Sequence, residues 1–207
     1  MTDPVKPPET TVPRLSPLAG ILRPGRYGAQ RPGGPGLQLG LRHPLSMATI
    51  IARKGEAKAL SQAMQEHYRL SCPPPGHWLG GENLTVHWAG ADQWLAVAEG
   101  YGEGALFADL YARLQGLASV SDQSHGRIML TIAGPCARHV LARGTPVDLH
   151  PRVFGPGRCA LTQMAHVGVH LAQTGDEAFE VSLFRGFAES FWQWLCEMSL
   201  EFGYQVT

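Results

Sequence analysis

Nine histidines, four cysteines and one Ser-Asp-Gln-Ser-His run are the residues of this 207-residue sequence that could do chemistry. His166 and His170 are the most closely spaced histidines. On a helix they could share one ion, but the sequence around them is strand-like, and four strand residues span roughly 13 Å. Two zinc ligands, each about 2.0–2.1 Å from the metal, cannot be that far apart. They read as two half-exposed strand histidines. Cys72, Cys136, Cys159 and Cys196 form no C-x-x-C pair and read as reduced, mostly buried thiols. Ser121-Asp122-Gln123-Ser124-His125 holds the residue types of a hydrolytic triad. A working triad converges from separate elements, whereas neighbours on a strand point to alternate sides. The run reads instead as a turn held by the Asp122 and Ser124 side chains.

No G-x-S-x-G elbow is present. Gly100-Tyr101-Gly102-Glu103-Gly104 lacks the dinucleotide spacing, and Glu103 would repel a phosphate at the following helix start. Trp88, Trp94 and Trp194 read as core rather than as a flavin or base-stacking platform. Trp192 falls off the helix face defined by Phe187, Phe191 and Leu195, so it is expected to point outward as an interface anchor. These readings leave no expected catalytic, cofactor-binding or metal-ligating residue in the chain.

The elements that must position these residues begin near Met47. Residues 1–46 are rich in proline and glycine, with Gly33-Gly34-Pro35-Gly36 unable to continue a helix or central strand. They read as an extended arm, disordered over its first dozen residues and docked through Leu15–Leu22 and Leu37–Leu45. From 47 onward the pattern gives a strand at Met47–Arg53 and a helix at Glu56–Tyr68. A hairpin follows over Leu84–Ala98, then a helix at Gly104–Gln115 with Leu106, Phe107, Leu110, Tyr111 and Leu114 inward, then a strand at Leu117–Gln123. That is the split βαβ, or ferredoxin-like, order. The order restarts with a strand at Arg127–Ala133 and a helix opened by Gly134-Pro135. Three strands between Cys159 and Leu183 and a helix at Phe187–Glu201 complete it. The fold class is α+β, with pseudo-repeats over about 47–124 and 125–207.

Lys plus Arg equals Asp plus Glu at 17 each, so the net charge is zero. That argues against a nucleic-acid partner and removes one barrier to association with protein. The N-terminus carries no secretory h-region and no stretch approaches about 20 apolar residues. A cytoplasmic location without membrane contact is expected.

The most specific signal lies between Val120 and Leu200. Ser121-Asp122-Gln123-Ser124-His125-Gly126-Arg127 is followed by Gly134-Pro135-Cys136-Ala137-Arg138, Leu141-Ala142-Arg143-Gly144 and Val147-Asp148-Leu149-His150-Pro151. Then come Phe154, Gly157-Arg158-Cys159-Ala160, Thr162 and Phe187-Ala188-Glu189-Ser190-Phe191-Trp192-Gln193-Trp194-Leu195. This series resembles the gamma subunit of heterotetrameric sarcosine oxidase. Trp78-Leu79-Gly80, Asp92-Gln93-Trp94-Leu95 and Ser16-Pro17-Leu18 extend the resemblance.

The resemblance implies a non-catalytic assembly subunit with alpha, beta and delta partners. The complex would demethylate sarcosine oxidatively to glycine, forming hydrogen peroxide and 5,10-methylenetetrahydrofolate. FAD, FMN, NAD and zinc would reside in the other subunits, with tetrahydrofolate as substrate and no cofactor in this chain. The family also resembles in fold the folate-binding domain of glycine-cleavage aminomethyltransferases. The Asp-x-Ser-His and Gly-Pro-x-Ala features of those enzymes match Asp122–His125 and Gly134–Ala137. Their acidic catalytic segment aligns with His166–Leu171, which has no carboxylate to serve as general acid or base. The alternative reading is a folate-dependent aminomethyl transferase or a folate-binding module. A stand-alone small-molecule binding module is a third. For the assembly reading, the candidate subunit contacts are Leu18, Asp148, His150, Phe154 and Trp192.

Overall fold

Alternating apolar residues in Ser46–Ala52 (β3) place Ala48 and Ile50 on one face and Met47 on the other. This strand organises the smaller of two sheets in the computed structural model, which describes residues 14–207. After β3 come α1 (Ala57–Tyr68), β4 (Trp78–Gly80), β5 (Leu84–Gly90), β6 (Gln93–Ala98), α2 (Ala105–Arg113) and β7 (Ala118–Asp122). Their strands lie in the order β4-β5-β6-β3-β7, all antiparallel. Without the three-residue edge strand β4, this is the split βαβ order. α1 stops where Arg69 turns left-handed (φ 56°) and returns its N–H to the Gln65 carbonyl. Leu60 and Met64 of α1 and Leu106 and Leu110 of α2 cover one face of the sheet. Phe107 and Tyr111 do not share that face as expected; they pack on each other at 5.7 Å, and Tyr111 is exposed. One residue is about 100° of helix, which carries them past the narrow Leu106–Leu110–Leu114 stripe.

The second half supplies β8 (Arg127–Ala133), α3 (Ala137–Ala142), β9 (Cys159–Met164), β10 (Val167–Gly175), β11 (Ala178–Phe184), α4 (Ala188–Ser199) and β12 (Tyr204–Val206). Its sheet has seven strands because the N-terminal segment joins it. β1 (Gly25–Tyr27) pairs with β12 at the edge, and β2 (Leu37–Arg42) lies between β8 and β12. The full order is β1-β12-β2-β8-β11-β10-β9. With β1 and β2 removed it repeats the order of the first sheet, so the sheet carries a second split βαβ unit. β2 runs antiparallel to β8 and parallel to β12, and its Leu37 and Leu39 are wholly buried. The expected disorder of the first dozen residues lies outside the described residues. β12, which sequence periodicity did not mark, is three residues long.

Gly36, ahead of β2, and Gly134, after β8, touch through their backbones. A Cβ on Gly134 would come 2.6 Å from the Gly36 carbonyl oxygen, at φ +117°. The Gly-Pro helix start therefore needs its glycine for a close approach as well as for conformation.

Each sheet turns one face to its helices. The larger core joins Phe179, Val181, Leu183, Ile128, Leu130 and Ile132 to α3 and α4. The opposite faces meet across a small apolar layer of Leu45, Met47, Leu95, Val97 and Met129. Helix layer, sheet, sheet and helix layer thus stack in turn, and side chains fill the space between the sheets. Among the described residues, no helix is long and apolar enough to cross a membrane.

Candidate functional site

The loop between α3 and β9 carries three of the expected contact residues. Asp148 Oδ1 accepts the His150 N–H at 2.9 Å, and His150 Nδ1 accepts the Arg152 N–H at 3.2 Å. Both side chains turn the loop on itself at the surface. Arg138 holds its base, donating from Nη1 to the carbonyl oxygens of Leu149 and Phe154 (2.9 Å for the latter). Asp148, His150, Arg152 and Val153 are exposed, so this loop presents a shaped, mixed-charge tip.

Three of the five candidates, Phe154 among them, are corrected by their burial. Phe154 is 4% exposed and belongs to the larger core. Leu18 is wholly buried in the same core. Trp192, expected to face outward, is 4% exposed. α4 buries Ala188, Phe191, Trp192, Leu195 and Ser199, an i, i+3, i+4, i+7 stripe that leaves Phe187 half exposed. The buried face is rotated by about one residue from one centred on Phe187, and Leu18 of the N-terminal segment shares the core with Trp192.

The expected turn at Ser121–His125 is built from its side chains. Ser124 N–H donates to Asp122 Oδ1 at 2.8 Å, and Ser124 Oγ both accepts the Met47 N–H at 3.0 Å and donates to the Met47 carbonyl. His125 pairs with Glu103 at 2.8 Å. Serine, aspartate and histidine are thus each engaged elsewhere.

Between the sheets lies a polar cluster that sequence reading missed. His170 is 2% exposed rather than half exposed, and its Nε2 donates to the Trp88 carbonyl at 3.1 Å. His87 meets it edge-on at 5.1 Å and stacks on Trp78 at 5.5 Å. Trp78 Nε1 donates to the Gln173 carbonyl, and Cys159 Sγ to that of His77. His166, by contrast, sits exposed in the β9–β10 turn, so the two closest histidines do not converge. Among the described residues, no three His, Cys, Asp or Glu side chains gather in metal-binding geometry. The one available signal was the Thr85/His87 alternation on β5, opposite in parity to Val86.

Burial pushes His170 down to about 4 and His87 well below the usual histidine range, the latter helped by the nearby His170 and Arg42 charges. Both are neutral at pH 7. The unfolded chain takes up protons near pH 6.5 that the folded cluster refuses, so stability is complete above that pH and falls as pH drops toward 4. For His170 the full loss is about 3 kcal/mol. Urea midpoints measured between pH 7.5 and 4.5 should fall steadily, and less steeply in His170→Gln. Parallel slopes for the two proteins would contradict this assignment.

The family model of the sarcosine oxidase gamma subunit family matches residues 53–201. The chain belongs to this family. It is 39% identical over 123 residues to sarcosine oxidase subunit gamma from an Arthrobacter species, covering 58% of this chain and 59% of that one. Identity to subunit gamma from Corynebacterium sp. (strain P-1) is 37% over 123 residues with the same coverage. The chain spans 59% of the length of these curated relatives. A heterotetrameric sarcosine oxidase from Corynebacterium sp. U-96 contains a chain that superposes with a TM-score of 0.76 at 28% identity, covering 91% of this chain and 96% of that one. The glycine cleavage system aminomethyltransferase T from Bartonella henselae superposes with a TM-score of 0.64 at 16% identity, over 92% of this chain and 58% of that one. It shares the fold of this gamma-family chain. The family match takes in the 145–158 loop, the polar cluster and α4.

Proposed function

We propose that this chain is the gamma subunit of a heterotetrameric sarcosine oxidase and acts by assembly rather than by catalysis. The observation that carries the reading is the superposition on a chain of such an oxidase over nearly its whole length, joined to the family match. In this reading alpha, beta and delta chains are the partners, and FAD, FMN, NAD and zinc belong to them. The complex converts sarcosine, oxygen and tetrahydrofolate to glycine, hydrogen peroxide and 5,10-methylenetetrahydrofolate in the cytoplasm.

The residues of this chain support a scaffold role. Where an aminomethyltransferase would carry its acid, Val167, Val169 and Leu171 enter the larger core and His170 enters the inter-sheet cluster. Gly168 is the exposed position between them. His170, held neutral and hydrogen-bonded to a carbonyl, is poorly placed to exchange protons with a substrate. The rigid double-sheet body and the exposed 148–153 tip are suited to holding neighbouring chains in register. The test is to assay the purified chain and the complete complex side by side. The chain alone should be colourless and form no peroxide from sarcosine, while the complex is yellow and forms it. Sarcosine turnover, or tight tetrahydrofolate binding measured calorimetrically on the chain alone, would move the function into this chain.

A further inference from the structure

A narrow slot opens where the N-terminal segment crosses the rim between the two sheets. Its volume is about 20 Å³, room for little more than one water-sized group. Six basic side chains line it: Arg14, Arg42, His43, His125, Arg127 and Arg185. Arg42 is paired with Glu180 at 2.7 Å and Glu99 at 2.6 Å, and His125 with Glu103. Arg14, Arg127 and Arg185 have no carboxylate within salt-bridge distance among the described residues.

Their geometry leaves donors to spare. Arg14 Nη2 donates to the Ser124 carbonyl at 2.7 Å, and Arg185 Nη2 to the Leu15 carbonyl at 3.0 Å. A guanidinium has five N–H groups, so each has others to offer. Arg127 is the more telling case. Its guanidinium lies 4.2 Å from the centre of the Phe184 ring, and its buried Nε has no hydrogen-bond partner among the described residues. Burial lowers its pKa. A desolvated cation with an unused donor is costly to the fold and is relieved by an anion. Apolar Leu45, Met47 and Ile128 line the same slot and reduce the screening of any charge inside it.

We propose that this slot is a binding site for a single carboxylate, held by Arg127 and Arg185 with Arg14 as a strap. A slot this narrow admits only the tip of a ligand, and a planar carboxylate matches the guanidinium fork. Two sources share this chemistry: a free monocarboxylate, or an acidic side chain of an assembling chain. The second rests on the proposed function; the first does not.

The test uses the full chain and the complex, with wild type, Arg127→Gln, Arg127→Lys and Arg185→Gln. Sodium formate is compared with sodium chloride at equal ionic strength. If the occupant is a free carboxylate, formate raises the wild-type Tm saturably by about 3 °C or more. The gain disappears in Arg127→Gln and survives in part in Arg127→Lys. If the occupant is a protein side chain, formate does little. Folded Arg127→Gln and Arg185→Gln chains then recover at least about tenfold less complex than wild type. Should Arg127→Gln fail to fold, the exposed Arg185 carries both comparisons. No formate effect together with unaltered recovery of complex overturns the proposal. If wild type forms no complex at all, the function reading falls, and the formate comparison alone decides the slot.

Discussion

A chain begun at His43, without β1 and β2, should fail to fold and should appear in the insoluble fraction. β2 is the strand between β8 and β12, hydrogen-bonded on both sides. Its loss removes Leu37 and Leu39 from the core, both wholly buried, each worth roughly 2 kcal/mol or more in burial alone. It also strips β8 of its partner on that side and leaves β12, three residues long, with only β1 to pair, and β1 is lost as well. Net stabilities of domains are about 5–15 kcal/mol, so the truncation exceeds what the rest of the larger sheet can absorb. The graded version is Leu39→Ala, expected to cost about 2–5 kcal/mol in urea denaturation. A soluble truncated chain with cooperative unfolding would show that the segment is an appendage after all.

Trp192→Ala should destabilise the isolated chain by about 3–5 kcal/mol. Its indole is buried in the core that also holds Leu18, Phe191 and Tyr204, and truncation leaves a cavity flanked by rigid sheet. Any loss of the proposed assembly would then follow from unfolding of the chain. Asp148→Ala and His150→Ala, on the exposed loop tip, should change stability by less than about 0.5 kcal/mol each. Chemical denaturation of the three variants separates the two kinds of residue. A near-neutral Trp192→Ala would place the indole at a surface and restore it as a contact candidate.

Much of the fold is legible because its periodicities are local. The strand at Arg127–Ala133 and the strand at Ala178–Phe184 alternate cleanly, and the helices at Ala57–Tyr68 and Ala188–Ser199 carry apolar stripes. The role of Leu37–Arg42 is not local. Its short apolar alternation is set among prolines and glycines, and only the partners β8 and β12, far along the chain, make it a central strand. The orientation of Trp192 escaped for a related reason. A helix rich in aromatics offers two adjacent faces as plausible cores, and the buried one shares its core with Leu18, more than 170 positions away. The inter-sheet cluster was hidden because His87 and His170 lie on strands of different sheets, and neither strand's own pattern reveals that its outer face meets another sheet.

In the proposed function this gamma-family chain works inside an oxidase assembly. The direct measurement is affinity capture of the tagged full chain from its native cells, followed by determination of mass, subunit composition and visible absorbance. The expected result is a complex of four different chains in equal amounts, yellow from bound flavin and active on sarcosine. Recovery of a colourless, monodisperse monomer with no associated chain would contradict it.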